Sequence, residues 1–211
     1  VSETNVDEKD INTREKILKI ATKIFAEKGF DGARVDEIAK QAGVNKALIY
    51  YYFESKKKLL EELFQKNIDD YINQKDVFGK QLSTIDHNQI VEYSDEILAT
   101  LKTKDEVIKI ALIEALKNNE PDFSLFKMMD MSHWSVLPKL KEMGLDIHDE
   151  ANSLITGFFF GVAPVVFYVI LGDKWAEFHN MDRNEFDLNF SSRLKEFYTK
   201  FATEFLNQVV E

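Results

Sequence analysis

Hydrophobic positions along the chain recur at three- and four-residue steps almost everywhere, the period of a helix that buries one stripe. From Asn12 to Lys28 the stripe runs through Ile17, Ala21, Ile24 and Phe25. Asn12 and Glu15 have the residue types and spacing of a capping box, so a helix is predicted to start at Asn12, and Gly29 is placed to stop it. Two short helices follow, Val35–Gln41 and Lys46–Tyr52, joined by Ala42, Gly43, Val44 and Asn45. Ser55 is predicted to cap a fourth helix, KKKLLEELFQKNIDDYI. Further helical runs are predicted at about 88–102, 104–118, 121–143, 147–172 and 185–210, separated by polar residues, Gly and Pro. No alternating strand pattern stands out, and the fold class is all-α.

The short pair carries the most geometric information. Two helices crossing over so short a connection need a small side chain at the crossing and a turn residue able to take positive φ. Ala39 and Gly43 meet both needs; Ile38, Ala42, Val44 and Ile49 are predicted to face inward, and Asn45 to cap the second helix. Lys46, Ala47, Tyr50 and Tyr51 then point outward, a mixture of cation, small residue and phenol suited to phosphates and base edges. By spacing alone, a plain helical hairpin at the end of a bundle fits equally well.

Charge sharpens the picture. The 211 residues carry a net charge of −10, yet residues 12–66 are net +4 and residues 67–211 net −11. A basic segment on an acidic protein suits a polyanion reader. The chain has no cysteine, which excludes disulfides, thiolate metal sites and a cysteine nucleophile. Its four histidines, His87, His133, His148 and His179, never fall at i, i+4 metal spacing, and no phosphate-binding glycine loop or nucleophile elbow is present. No catalytic residue, metal site or cofactor is expected. The polar start, VSETNVDEKDINT, lacks a secretory pattern, and a cytoplasmic location is expected.

Phe25 with Gly29-Phe30, Ile38-Ala39, Ala42-Gly43-Val44, Tyr50 with Phe53, and Ser55-Lys56 with Leu59-Leu60 follow one another without a gap between Thr13 and Leu63. On these residues the stretch resembles the N-terminal domain of TetR-family transcriptional regulators. The resemblance implies a flexible arm (1–11), a three-helix helix-turn-helix DNA-binding domain (12–57) and a larger helical effector-binding and dimerisation domain (58–211). A homodimer is expected to place Lys46–Tyr52 in successive major grooves of double-stranded DNA with a near-palindromic operator, about 34 Å apart. The implied DNA contacts are Arg34, Val35, Asn45, Lys46, Ala47, Tyr50, Tyr51, Tyr52 and Lys56, with Lys56 reaching the backbone. Arg34 stands where a Ser or Thr commonly caps the second helix, and Glu54 adds a negative charge beside the expected backbone contact.

Beyond residue 66 the sequence resembles no particular relative. Ala151 to Gly172 is 22 residues without a formal charge, long enough to cross a bilayer, but Asn152, Ser153, Thr156 and Pro164 interrupt it and no basic cluster flanks it. A buried helix, and no membrane, is the expected reading. With the aromatic stripe of the last helix it is expected to form a dimer interface from Phe158, Val162, Val165, Val169, Phe190, Leu194, Phe197, Phe201 and Phe205. A small-molecule effector, unidentified, is expected near Glu114, Phe126, Met129, His133, Trp134, Phe159 and Tyr168, where Glu114 falls on an apolar face and needs a partner such as Lys117. The reading is a ligand-responsive DNA-binding regulator with repression as the expected sense; the alternative is a ligand-binding or adaptor protein of the same fold that no longer reads DNA.

Overall fold

The computed structural model describes residues 3–79, 95, 98–117, 124–129 and 150–209. Every regular element among them is helical. We label α1 (Glu3–Gly32), α2 (Val35–Ala42), α3 (Lys46–Phe53), α4 (Lys56–Gly79), α5 (Asp105–Lys117), α6 (Ser124–Met129), α7 (Glu150–Ile155), α8 (Ala163–Phe178) and α9 (Arg183–Val209). The chain divides into two compact units, Val1–Asp70 with Glu106–Leu125, and Tyr71–Asp105 with Phe126–Glu211.

In the first unit, helical stripes converge on one core. Ile17, Ala21, Ile24 and Phe25 of α1, Ile38 and Ala42 of α2, Ile49 and Phe53 of α3, and Leu59 and Leu63 of α4 are almost fully buried. Ile108, Ile110 and Ala111 of α5 are buried as well. Each such aliphatic or aromatic side chain contributes about 1.5–3 kcal/mol when removed from water, so the basic segment folds on a substantial apolar base.

The N-terminus departs from expectation. Residues assigned to a flexible arm are helical, and α1 begins at Glu3 rather than Asn12, which sits inside the helix. The capping box cannot act there because no Gly or Pro precedes it to stop the helix, and Glu15 is taken by Lys66 at 2.8 Å. The early turns are also tied down, since Asp10 accepts a hydrogen bond from the Tyr52 hydroxyl at 2.8 Å. At the other end Gly29 interrupts α1 as expected, with φ 71° and ψ 167°; one more turn follows to Gly32. The first unit also runs past the expected 57/58 boundary, through Asp70, and takes in residues 106–125.

In the second unit, α7 passes into α8 through a π-helical segment, Thr156–Val162. Pro164 in the first turn of α8 has no N–H to donate backward, so the hydrogen-bond ladder shifts register there. Within that segment the Gly161 carbonyl accepts the Tyr198 hydroxyl of α9. Helices α8 and α9 pack through the Tyr168 ring, stacked on Phe190 with centroids 3.8 Å apart, and the Tyr168 hydroxyl donates to Asp187. Gly172 allows a second close approach: a Cβ there would lie 2.8 Å from Arg183 Nη1 and 3.2 Å from the Phe186 ring. Arg183 pairs with Asp173 at 2.6 Å and Asp187 at 3.0 Å, fixing the start of α9 against α8.

Candidate nucleic-acid interface

Helix α2 starts without a side-chain cap, because Arg34 occupies the capping position in extended conformation and only its carbonyl receives the Glu37 and Ile38 N–H groups. Asp36 and Glu37 in the first turn offset the exposed N–H dipoles instead. The helix ends at Gly43, whose φ of 67° and ψ of 34° are left-handed and whose N–H returns to the carbonyls of Ala39 and Lys40. That turn brings the chain back at once. Asn45 then caps α3, its Oδ1 accepting the Leu48 N–H at 2.7 Å. Ile38, Ala39, Ala42 and Ile49 are buried as expected, while Val44 is half-buried.

What remains outward is the face the sequence marked. Lys46 and Ala47 are exposed, Tyr50 is 43% and Tyr51 76% exposed, and Arg34 and Asn45 are exposed beside them. An exposed tyrosine pair on one helix turn, next to cations, has phenol hydroxyls for phosphates and ring faces for sugars and bases. Lys40 and Lys57 are also exposed, and neither makes an ion pair with any described residue.

Three expected contacts stand differently. Val35 is buried in the core, so its side chain is not presented outward; as the first residue of α2 it anchors that helix. Lys56 is half-buried, its Nζ donating to the carbonyls of Phe30 at 2.7 Å and Ala33 at 3.1 Å and lying 4.4 Å from the Phe30 ring centroid. It closes the turn after Gly29, and a phosphate could take it only at the expense of those carbonyls. Tyr52 is half-buried and bonded to Asp10, which holds its hydroxyl above the usual tyrosine range.

Two participants escaped the sequence reading, Asp10 and Asp36. Lys46 Nζ lies 3.0 Å from Asp36 Oδ2, and that hydrogen bond holds the ammonium above its ordinary range. No local pattern signals either contact, because the partners lie 42 and 10 residues apart. The α3–α4 junction is also strained. Glu54 has φ 60° and ψ −44°, and the Ser55 N–H closes on the Phe53 carbonyl at 2.5 Å, a tight γ-turn of the unfavourable hand. Ser55 nonetheless caps α4, its Oγ accepting the Lys58 N–H at 3.0 Å.

The expected effector residues fall into both units. Glu114, in the first, is buried, and its Oε1 lies 3.5 Å from Lys117 Nζ, an ion pair without hydrogen-bond geometry. Lys117 also reaches Asp31 at 3.3 Å, so the Glu114–Lys117 pairing is found. In the second unit Phe126 and Phe159 are exposed and both contact Phe158, whereas Tyr168 is buried in the α8–α9 contact rather than lining an open site. His133 and Trp134, and the side chains of Met129, Phe201 and Phe205, lie outside the described residues.

The expected dimer face is partly turned inward. Val162, Val165 and Leu194 are buried within their own subunit, Phe158, Val169 and Phe190 are half-buried, and Phe197 is 45% exposed. A helix apolar all round gives no phase from which to choose the outer side. The outer stripe is Phe160, Phe167, Leu171, Trp175 and Phe178, each between 43% and 79% exposed.

A tight αL-hinged pair of helices seated on a third, with a basic and phenolic outer face, defines a helix-turn-helix module. Residues 17–63 match the model of the bacterial regulatory proteins, tetR family. The chain is 30% identical over 111 residues to the IcaR negative transcriptional regulator of the biofilm operon icaADBC of Staphylococcus aureus. That match takes in 53% of this chain and 57% of the relative, so it spans little more than half of the relative's length. Among solved structures, a protein from Mesorhizobium loti described as a TetR-family transcriptional regulator superposes with TM-score 0.64 at 19% identity, over 94% of this chain and 96% of that one. The hemolysin II transcriptional regulator HlyIIR superposes with TM-score 0.54 at 25% identity, over 89% and 97%. The helix-turn-helix segment is thus similar to that of the tetR family over residues 17–63.

Proposed function

We propose that the protein is a sequence-specific DNA-binding regulator that represses transcription and is released by a small molecule. The observation that carries the reading is the outward set Arg34, Lys46, Ala47, Tyr50 and Tyr51 on a helix pair whose inner residues Ile38, Ala39, Ala42, Ile49 and Phe53 are buried. Repression is supported by the negative regulator IcaR, and the wider fold by the two solved structures. In this reading α3 enters a major groove, with Lys46 and Ala47 near base edges and Tyr50, Tyr51 and Arg34 toward the backbone.

Two copies act together, through the outer stripe that runs from Phe160 of the π-helical segment to Phe178 at the end of α8. Five large apolar side chains on one exposed face favour a partner helix of the same kind. The run Thr156–Phe178 is also long and apolar enough to span a bilayer. Pro164 near its start, Asp173, Lys174 and Glu177 toward its end, and the match of the fold to DNA-binding regulators favour a protein interface and a cytoplasmic location. Effector binding is read as a difference in ligand affinity between two separations of the α3 helices, which lowers operator affinity by the same coupling.

The test is selection of bound duplexes from a random pool, with the mass of the free protein measured by light scattering. The proposal expects a two-fold symmetric sequence bound by a dimer. A monomer, or a pool that never enriches, would favour the adaptor reading.

A further inference from the structure

We infer that Asp36 is a specificity-determining residue of the interface, one that neutralises Lys46 so that its ammonium serves base edges rather than phosphates; the inference rests on the DNA-reading function of α2 and α3. Lys46 is the first residue of α3, the part of a reading helix that approaches base edges. It is also the only charged side chain that α3 carries. Its Nζ lies 3.0 Å from Asp36 Oδ2, across the turn, with both side chains on the surface, 47% and 71% exposed.

Asp36 has no other partner among the described residues, and nothing in the core needs it. Its neighbour Glu37 is engaged elsewhere, holding Lys28 at 2.7 Å through both oxygens. The remaining ion pairs of the unit within residues 1–70, Arg14–Glu62, Lys58–Glu61 and Lys66–Glu15, tie cations of α1 and α4 and leave α3 untouched. Asp36 is therefore the acid that answers the one cation on the reading helix.

A free lysine is drawn to any phosphate, whatever the sequence, and that term makes up nearly all non-specific affinity. Paired with Asp36, the ammonium is locally compensated, and a phosphate placed against it would also face the carboxylate. An ammonium has three donors, however, and one hydrogen bond to Asp36 leaves two. A neutral acceptor such as guanine O6 or N7 can take them without meeting a net repulsion. The pair thus discriminates by the charge of the acceptor. It lowers binding to arbitrary DNA more than binding to a site that presents the right base edge, which is specificity by penalising the wrong partner.

The experiment measures, for the full chain, affinity and salt dependence on a duplex selected from a random pool and on an unrelated duplex of equal length. Asp36→Asn is expected to tighten the unrelated duplex about two- to fivefold, the range for releasing an exposed ion pair, and to steepen its log–log salt slope by about one. The selected duplex is expected to gain less, so the specificity ratio falls. Glu37→Gln removes the same charge from the same turn but frees Lys28 instead, and is expected to leave the ratio in place. In the Asp36→Asn background, Lys46→Ala is expected to abolish the gain. Equal tightening of both duplexes, no change in either, weaker binding to both, or full reproduction by Glu37→Gln would overturn the inference while leaving DNA reading intact. A wild-type protein that retains no duplex would overturn DNA reading itself, and this inference with it.

Discussion

Replacing Lys56 by Met separates a structural cation from a DNA contact. The side chain donates to the Phe30 carbonyl at 2.7 Å and the Ala33 carbonyl at 3.1 Å, and its ammonium lies 4.4 Å from the Phe30 ring centroid. Hydrogen bonds from a charged donor are worth about 1.5–3 kcal/mol each, and a cation over an exposed ring about 0.5–1 kcal/mol. The site is only half-buried, so water can re-solvate both carbonyls, and Met retains the aliphatic packing. Discounting the sum by more than half leaves a loss of about 2 kcal/mol. For a chain of this size that is a fall of roughly 4–8 °C in melting temperature. Far-ultraviolet circular dichroism on heating, with a salt titration of DNA binding on the folded variant, reads both quantities. The geometry expects lower stability with the salt slope unchanged. A variant that melts with the wild type but loses about one unit of salt slope would refute the reasoning and return Lys56 to the phosphate backbone.

Other outcomes follow from the backbone and from the α8–α9 contact. Gly43→Ala has room, the nearest atom to its Cβ being Lys16 Nζ at 3.7 Å, so its cost is conformational: about 1 kcal/mol after the stiffer unfolded chain is allowed for. Glu54→Gly, at φ 60°, should shift stability the other way by a similar amount, and urea midpoints of the two variants check the opposite signs. Asp187 is opposed by burial, but the Tyr168 hydroxyl, Lys102 and Arg183 together hold its carboxyl below the ordinary 3.8. The folded state therefore binds this proton less readily than the unfolded one, and the stabilisation is present above the ordinary 3.8 and is lost as pH falls below it. Melting temperatures of wild type and Asp187→Asn should differ most near neutrality and converge in acid; a difference constant with pH would show that the carboxylate charge is irrelevant there.

The extent to which these features were legible in the sequence depended on how local their causes were. Gly43, Asn45 and Ser55 act on residues within four positions, and the burial of Ile38 and Ile49 needs only helical period, so α2, the turn and α3 were readable to within a residue. The start of α1 was not, because a capping box states where a helix could begin, and only a preceding stop says that it does. The contacts of Lys56 were not legible for a different reason: its carbonyl partners lie 26 and 23 residues back, and a surface lysine beside an exposed helix looks the same in sequence whichever way it bends. Val162 and Val165 suit a partner subunit as well as their own core because the run from Val162 to Leu171 is apolar on every side. Three-dimensional contacts such as the Tyr168–Phe190 stack and the closeness of Gly172 to Arg183 reveal which side faces α9. Resemblance supplied the role of the α2–α3 pair, while the Asp36–Lys46 contact had to be seen in three dimensions.

The most direct measurement is the binding of a pool-selected duplex by the full chain and by Tyr51→Ala and Lys46→Ala, titrated in salt and footprinted. The account expects protection of two major-groove segments about one helical turn apart. It expects each substitution to weaken that complex selectively over an unrelated duplex without altering the melting temperature, since both side chains are exposed. Wild-type affinity in both variants, or protection that never shows the two-fold pattern, would contradict the claim that α3 reads DNA.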